Sequence, residues 1–178
     1  MPPTPPPPAL GATIEPATPA DLPTLRAVYA EGARMQQARG EAVWPPPADA
    51  LLAAETAEGR LMKVAVDGRL AGVFTVAYAD PVIWTDRDRG AHLYLHRISR
   101  APGAGGGLMA PILAWARAQA ETRGLEGVRL DTWAENEPLA AYYEGLGFRH
   151  VGEQAIPPDA PLPAHYHGIR VVLFELAL

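Results

Sequence analysis

The chain has 178 residues, with 15 Lys and Arg against 20 Asp and Glu and no cysteine. That length suits one domain with a real core, and the missing cysteine excludes disulfides and thiolate metal sites. The net charge of −5, with Lys63 the one lysine, argues against nucleic acid as a partner, and the apolar stretches are too short to span a bilayer.

The opening Met1-Pro2-Pro3-Thr4-Pro5-Pro6-Pro7-Pro8 has neither a basic region nor an apolar run, so no signal peptide is read and the expected location is cytoplasmic. Residues 1–11 read as a disordered Pro-rich tail, and 12–178 as a single domain. Ala12 to Pro16 reads as a strand. Thr18 is an N-cap with Pro19 at the first helical position, and the helix carries Leu22, Leu25, Val28 and Tyr29 to about Gln37. Gly40 to Pro47 is a loop with Trp44, and Ala48 to Ala57 a second helix. Arg60–Val66 and Arg69–Tyr78 are apolar runs joined by Asp67-Gly68, a hairpin signal. Asp80 to Gly90 reads as a polar loop with Trp84, and Ala91 to Ser99 as a strand. After a glycine-rich loop, Leu108 to Thr122 is a helix ended by Gly124. Val128 to Trp133 is a strand, Pro138 to Leu146 a short helix, and His150–Gln154 and Ile169–Leu176 late strands around a Pro-rich loop, Ile156 to Gly168. The order is α/β, with hairpins at both ends and one strand–helix–strand crossover.

The loop Pro102-Gly103-Ala104-Gly105-Gly106-Gly107-Leu108 sits where a strand hands over to a helix. Unpaired amides and the helix dipole favour an anion there, and glycines let a phosphate come close. Without a ligand the same glycines would simply make a flexible loop. Gly105-x-Gly107-x-x-Ala110, with Asp131 about twenty residues on, also matches the dinucleotide fingerprint. Against that reading, Ser99 to Ala104 separate the strand from the glycines. The unit also starts past mid-chain, leaving too few residues for a doubly wound sheet.

The same residues resemble the GNAT superfamily of acyl-coenzyme A-dependent N-acyltransferases over about Ala12 to Leu176. The resemblance rests on Ile14 to Leu22, the Asp67-Gly68 hairpin, the glycine loop and Asn136-Glu137-Pro138-Leu139-Ala140-Ala141-Tyr142-Tyr143-Glu144-Gly145-Leu146-Gly147-Phe148. It implies a mixed, mostly antiparallel splayed sheet flanked by helices, in an N-acetyltransferase. Acetyl-coenzyme A would be the donor, and a primary amine of a small molecule or peptide the acceptor. A homodimer is compatible with it. A dinucleotide-binding protein and a non-catalytic coenzyme A-binding module stand as alternatives.

The family's loop pattern fits literally at Arg100 to Gly105. A second register, with the glycine pair at Gly105 and Gly107, places Pro111 in the first helical turn, where its missing N–H costs little. By resemblance, the backbone of Ile98, Ser99 and Arg100 pairs with pantetheine in the gap where the strands splay. Gly103, Ala104, Gly105, Gly106, Gly107 and Leu108 then hold the pyrophosphate.

The amine attacks the thioester directly, which leaves one proton to remove and one to supply. Tyr143 matches the family tyrosine near the sulfur, and a phenol can protonate a departing thiolate. Asn136 matches a position that holds coenzyme A or caps the helix. For the base, His96 competes with Glu31, Glu41, Asp80 and Glu135, and His96 itself reads more readily as a hydrogen-bonded core residue than as the base. His165 and His167 suggest no third metal ligand and are assigned to the acceptor-pocket rim. The loops carrying Trp44, Trp84 and Trp133 are expected to line that pocket, where the tryptophans could stack on a cation but read more often as plain core or rim.

Overall fold

The computed structural model describes residues 11–178, so all but Gly11 of the expected proline tail lies outside the described residues. These residues form seven strands in the order β1-β2-β3-β4-β5-β7-β6, with five helices. The fold is therefore mixed α/β on an open, mostly antiparallel sheet. No helix among the described residues is long and apolar enough to cross a membrane. The chain divides into two compact units, one of 11–76 with His96–Trp115, the other of Ala77–Leu95 with Ala116–Leu178.

The first unit begins with β1 (Ala12–Pro16), antiparallel to β2 (Leu61–Val66). β2 pairs with β3 (Arg69–Ala77), and the turn between them holds Asp67 at φ 49° and Gly68 at φ 73°. Two left-handed residues in sequence give the tight hairpin that Asp-Gly signals. Thr18 and Asp21 cap the chain's entry to α1 (Leu22–Ala38), where the Thr18 N–H donates to Asp21 Oδ2 at 2.8 Å. A short 3-10 turn, Pro19–Asp21, precedes the α-helix proper. α1 buries Leu22, Leu25, Val28 and Tyr29, the face its spacing predicts. Leu52 of α2 (Asp49–Ala57), Leu61, Val73 and Ala101 complete that core. The second half of β4 (His92–Arg100) and the first half of α4 (Met109–Thr122) belong to this unit. Phe74 and Trp115 meet edge to face at 5.4 Å.

In the second unit β4 runs parallel to β5 (Gly127–Trp133), with His92, Leu93 and Tyr94 opposite Gly127, Val128 and Arg129. β5 pairs antiparallel with β7 (Arg170–Ala177), which pairs with β6 (Arg149–Ala155). The loop expected over Asp80 to Gly90 contains a short helix, α3 (Pro81–Trp84), whose Asp80 cap accepts from the Ile83 N–H at 3.3 Å. Trp84 is fully buried, 5.6 Å from Tyr94 and beneath the Arg129 guanidinium, 4.4 Å from the ring centre. Of the places open to this tryptophan, it takes the core rather than a pocket rim. Arg129 also donates to Glu175 Oε2 (2.8 Å) and to the Arg87 carbonyl (2.8 Å). α5 (Glu137–Gly145) follows β5.

Gly72, in the middle of β3, leaves no room for a side chain. A Cβ there would lie 2.7 Å from the methyls of Leu108 and 2.8 Å from the Ser99 carbonyl oxygen. Gly72→Ala is expected to cost about 1–3 kcal/mol, the usual penalty of overpacking against backbone. Gly106→Ala, where a Cβ would meet open space, is expected to cost under about 0.5 kcal/mol. Urea denaturation of both variants checks the contrast.

Candidate functional site

In the first unit the glycine loop leaves β4 at Arg100. The Ala101 N–H donates to the Ala71 carbonyl of β3 at 2.9 Å, which fixes where the loop departs. The Ala104 N–H donates to the Ala101 carbonyl, and Gly103 stands at φ 71°, so the chain turns sharply there. Gly107, at φ 88°, makes the second turn, and α4 starts two residues later. Pro111 is the third residue of α4, inside the first turn, where it removes no helical hydrogen bond. The amides at that helix start have no intrahelical partners.

Ile98, Ser99, Arg100, Gly103 and Ala104 come together along one pocket. Gly105, Gly106, Gly107 and Leu108 lie beyond its lining, and Leu108 packs against Gly72. The opposite wall is α1, through Gly32, Met35, Gln36 and Arg39. The lining holds two guanidinium groups, Arg39 and Arg100, and no carboxylate side chain. A Cβ on Gly32 would stand 3.0 Å from the Ser99 hydroxyl, so the glycine in mid-helix lets α1 approach the end of β4. Neither Gly32 nor Gly72 stands at a turn or loop signal in the sequence. A glycine inside a regular element was the available signal.

His96 is partly exposed, yet desolvation, and after it the cations Arg97 and Arg60, holds its imidazole down to about 3. Such a group is a poor proton acceptor at neutral pH. Glu31 pairs with Arg34 on the same helix, and Glu41 lies 3.9 Å from Arg39.

In the second unit α5 presents Tyr142 and Tyr143. Tyr142 is 48 % exposed, whereas Tyr143 is 8 % exposed, packed on Phe148 and Phe174 with ring centres 5.9 and 5.7 Å away. Burial, and then the nearby Asp131 charge, lifts the Tyr143 phenol well above its usual range. Asn136 caps α5, its Oδ1 accepting the Leu139 N–H at 3.3 Å. Carboxylate oxygens of Asp80 and Asp131 come within 4.8 Å of each other. Burial, with a smaller push from Asp88, raises Asp80 to about 6 against the Ile83 N–H, which pulls it down. Glu135 is exposed beside Asn136. The ring Nε2 of His167 sits 2.8 Å from the Leu162 carbonyl and 3.1 Å from that of Ala160, so it braces the Pro-rich loop. The His165 ring stacks on Tyr166 at 4.7 Å. Trp44 and Trp133 are half-buried.

A sequence profile of the acetyltransferase (GNAT) family matches residues 29–148. An uncharacterized N-acetyltransferase of Bacillus subtilis, YesJ, is 29% identical over 103 residues, 55% of this chain. That match spans 57% of the relative, little more than half its length. A GNAT-family acetyltransferase structure from Listeria monocytogenes superposes with a TM-score of 0.72 at 20% identity, covering 93% of this chain and 95% of that one. The ribosomal-protein-S18-alanine N-acetyltransferase of Escherichia coli gives 0.62 at 19%, covering 93% of each. The putative acetyltransferase yncA of Salmonella typhimurium, solved with its cofactor acetyl-CoA, gives 0.61 at 18%, covering 94% of each.

The raised Asp80 pKa has a stability consequence of definite sign. Below about pH 4 the carboxyl is protonated in both folded and unfolded chains. From there up to about 6 only the unfolded chain ionises, so stability falls as pH rises, and above about 6 the loss is complete. Asp80→Asn keeps a capping oxygen for the Ile83 N–H. It is expected to be about 2 kcal/mol more stable than the parent at pH 8 and to show no such gain near pH 3. Denaturant melts at the two pH values read this directly.

Proposed function

This chain belongs to the GNAT family of acetyltransferases, and from that premise we propose that it moves an acetyl group from acetyl-coenzyme A to a primary amine of a small molecule or peptide in the cytoplasm. The observation that carries the reading is the junction of β4 and α4. There a strand end and the first part of a glycine-rich turn, Gly103 and Ala104, line a pocket with two arginines and no carboxylate, and the turn leads on to a 14-residue helix. That donor set suits a pyrophosphate. Gly105 and Gly106 also leave open the space a Cβ would occupy, so an anion has access to the backbone. The Salmonella relative carrying acetyl-CoA supports the same ligand.

In this reading Ile98, Ser99 and Arg100 offer strand backbone to the pantetheine arm. Gly103 to Leu108 give their amides to the pyrophosphate, with Gly105 and Gly107 as the family's glycine pair, and Asn136 borders the coenzyme as well as capping α5. Acetyl-coenzyme A, when bound, supplies the acyl group and a thiolate that leaves. Tyr143 keeps its proton throughout the neutral range, because burial and Asp131 oppose its ionisation. It is the acid, giving the proton from its Oη to the leaving thiolate. Asp80, ionised above about pH 6, is the base that takes the proton of the incoming ammonium. Its raised pKa makes it a better acceptor than the weakened His96.

Tyr143→Phe is expected to lower kcat by about 10²-fold or more while the Kd for acetyl-coenzyme A stays within about twofold. Thermal shift is expected with acetyl-coenzyme A and absent with NAD or NADP. A shift with the nicotinamide cofactors alone would point to the dinucleotide fingerprint. An unchanged rate in Tyr143→Phe would remove that residue from the chemistry.

A further inference from the structure

Among the described residues, Arg97 is the non-glycine residue inside a strand that holds a left-handed backbone, at φ 48°. Asp67 and Thr85, the others at positive φ, lie at turns. Arginine has no intrinsic liking for that region, so such a conformation persists only where its surroundings impose it. Here the surroundings are a buried polar cluster of the first unit. The Arg97 guanidinium donates through Nη2 to Glu55 Oε1 of α2 and, at 3.1 Å, to Thr75 Oγ1 of β3. The Thr75 hydroxyl donates in turn to Glu55 Oε2 at 3.1 Å. Arg60 Nη1 stands 3.6 Å from the same carboxylate. Glu55 is 3 % exposed and Thr75 fully buried, and Tyr29 of α1 closes the cluster.

A buried ion pair is weak as a stability device, since apolar residues of the same volume serve as well. A pair that grips a strained strand residue has a reason to be there. The residue after Arg97 is Ile98, where the pocket lining begins.

We propose that Glu55 and Thr75 act as positioning residues: through the Arg97 guanidinium they hold the kink in β4 that aims the backbone of Ile98, Ser99 and Arg100 at acetyl-coenzyme A. The proposal rests on the reading that this backbone pairs with the coenzyme. It separates two roles that one residue combines. The φ of Arg97 does the aiming, and its side chain only enforces that φ.

Glycine adopts a positive φ unaided, so it can supply the kink without the clamp. Acetyl-coenzyme A is titrated into the full chain by calorimetry, with circular dichroism confirming the fold of each variant. Arg97→Ala and Glu55→Gln are each expected to raise Kd about tenfold or more, because a preorganised backbone is lost. Arg97→Gly is expected to stay within about threefold of the parent, and adding Glu55→Gln to it should change Kd no further. Arg97→Ala binding as tightly as the parent would overturn the proposal. So would Arg97→Gly binding as weakly as Arg97→Ala, since the side chain itself would then be what matters. If Arg97→Ala does not fold, a tenfold loss in Arg97→Gly alone overturns it. A parent chain that fails to bind acetyl-coenzyme A overturns the functional reading, and the proposal falls with it.

Discussion

Ser99 is squeezed between two missing side chains. On one side Gly72 of β3 leaves room for its carbonyl oxygen, and on the other Gly32 of α1 leaves room for its hydroxyl. A Cβ at Gly72 would push the last residues of β4 away from β3, and one at Gly32 would crowd the Ser99 hydroxyl. Interior glycine weakens a helix by about 1 kcal/mol relative to alanine, so local propensity does not explain Gly32. Close approach does. The strand end, the loop departure at Ala101 and the α1 wall of the pocket all depend on that packing. The hydrogen bond from Ala101 to Ala71 continues the same contact along β3.

Burial then assigns protons. Removing a group from water penalises its charged form, which raises acids and lowers bases. Tyr143 is pushed up and stays a donor, Asp80 is pushed up to about 6, and His96 is pushed down to about 3. One physical cause thus keeps the candidate acid protonated, strengthens one candidate base and weakens the other. Elsewhere burial is offset by pairing. It would raise Glu175, but the bonds from Arg129 outweigh it and leave that carboxyl below its usual value. Arg129 and Glu175 accordingly read as structural, tying β5 to β7 and to the Arg87 carbonyl.

Much of the first unit was legible because its signals are local. Asp67-Gly68 specifies its own turn, Thr18 with Asp21 its own cap, and the spacing of α1 its buried face. Tyr143 and Asn136 are proposed from the pattern around Gly147-Phe148, and Tyr143 is the buried member of the tyrosine pair. What escaped depends on partners distant in sequence. Glu55 sits in an ordinary helix, and it is the distant Thr75 and Arg97, together with Arg60, that make its burial tolerable. Arg97 carries no turn signature, so nothing local announces its backbone. Trp84 reads as core or rim alike until Tyr94 and Arg129 enclose it. The four-residue α3 is too short for any periodicity to reveal.

The glycine loop divides its labour in a way that composition alone conceals. Gly103 and Gly107 have positive φ, so they are required by the path of the chain. Gly105 and Gly106 adopt ordinary backbone conformations with open space where a Cβ would be, so neither strain nor packing demands glycine there. Glycine at these two positions leaves the backbone bare toward whatever the chain approaches. In the proposed reading that is a phosphate, which needs bare backbone for close contact with the amides. Two glycines then serve the fold and two serve the ligand, and the pair that packing leaves unexplained is the stronger argument for an anion at this turn.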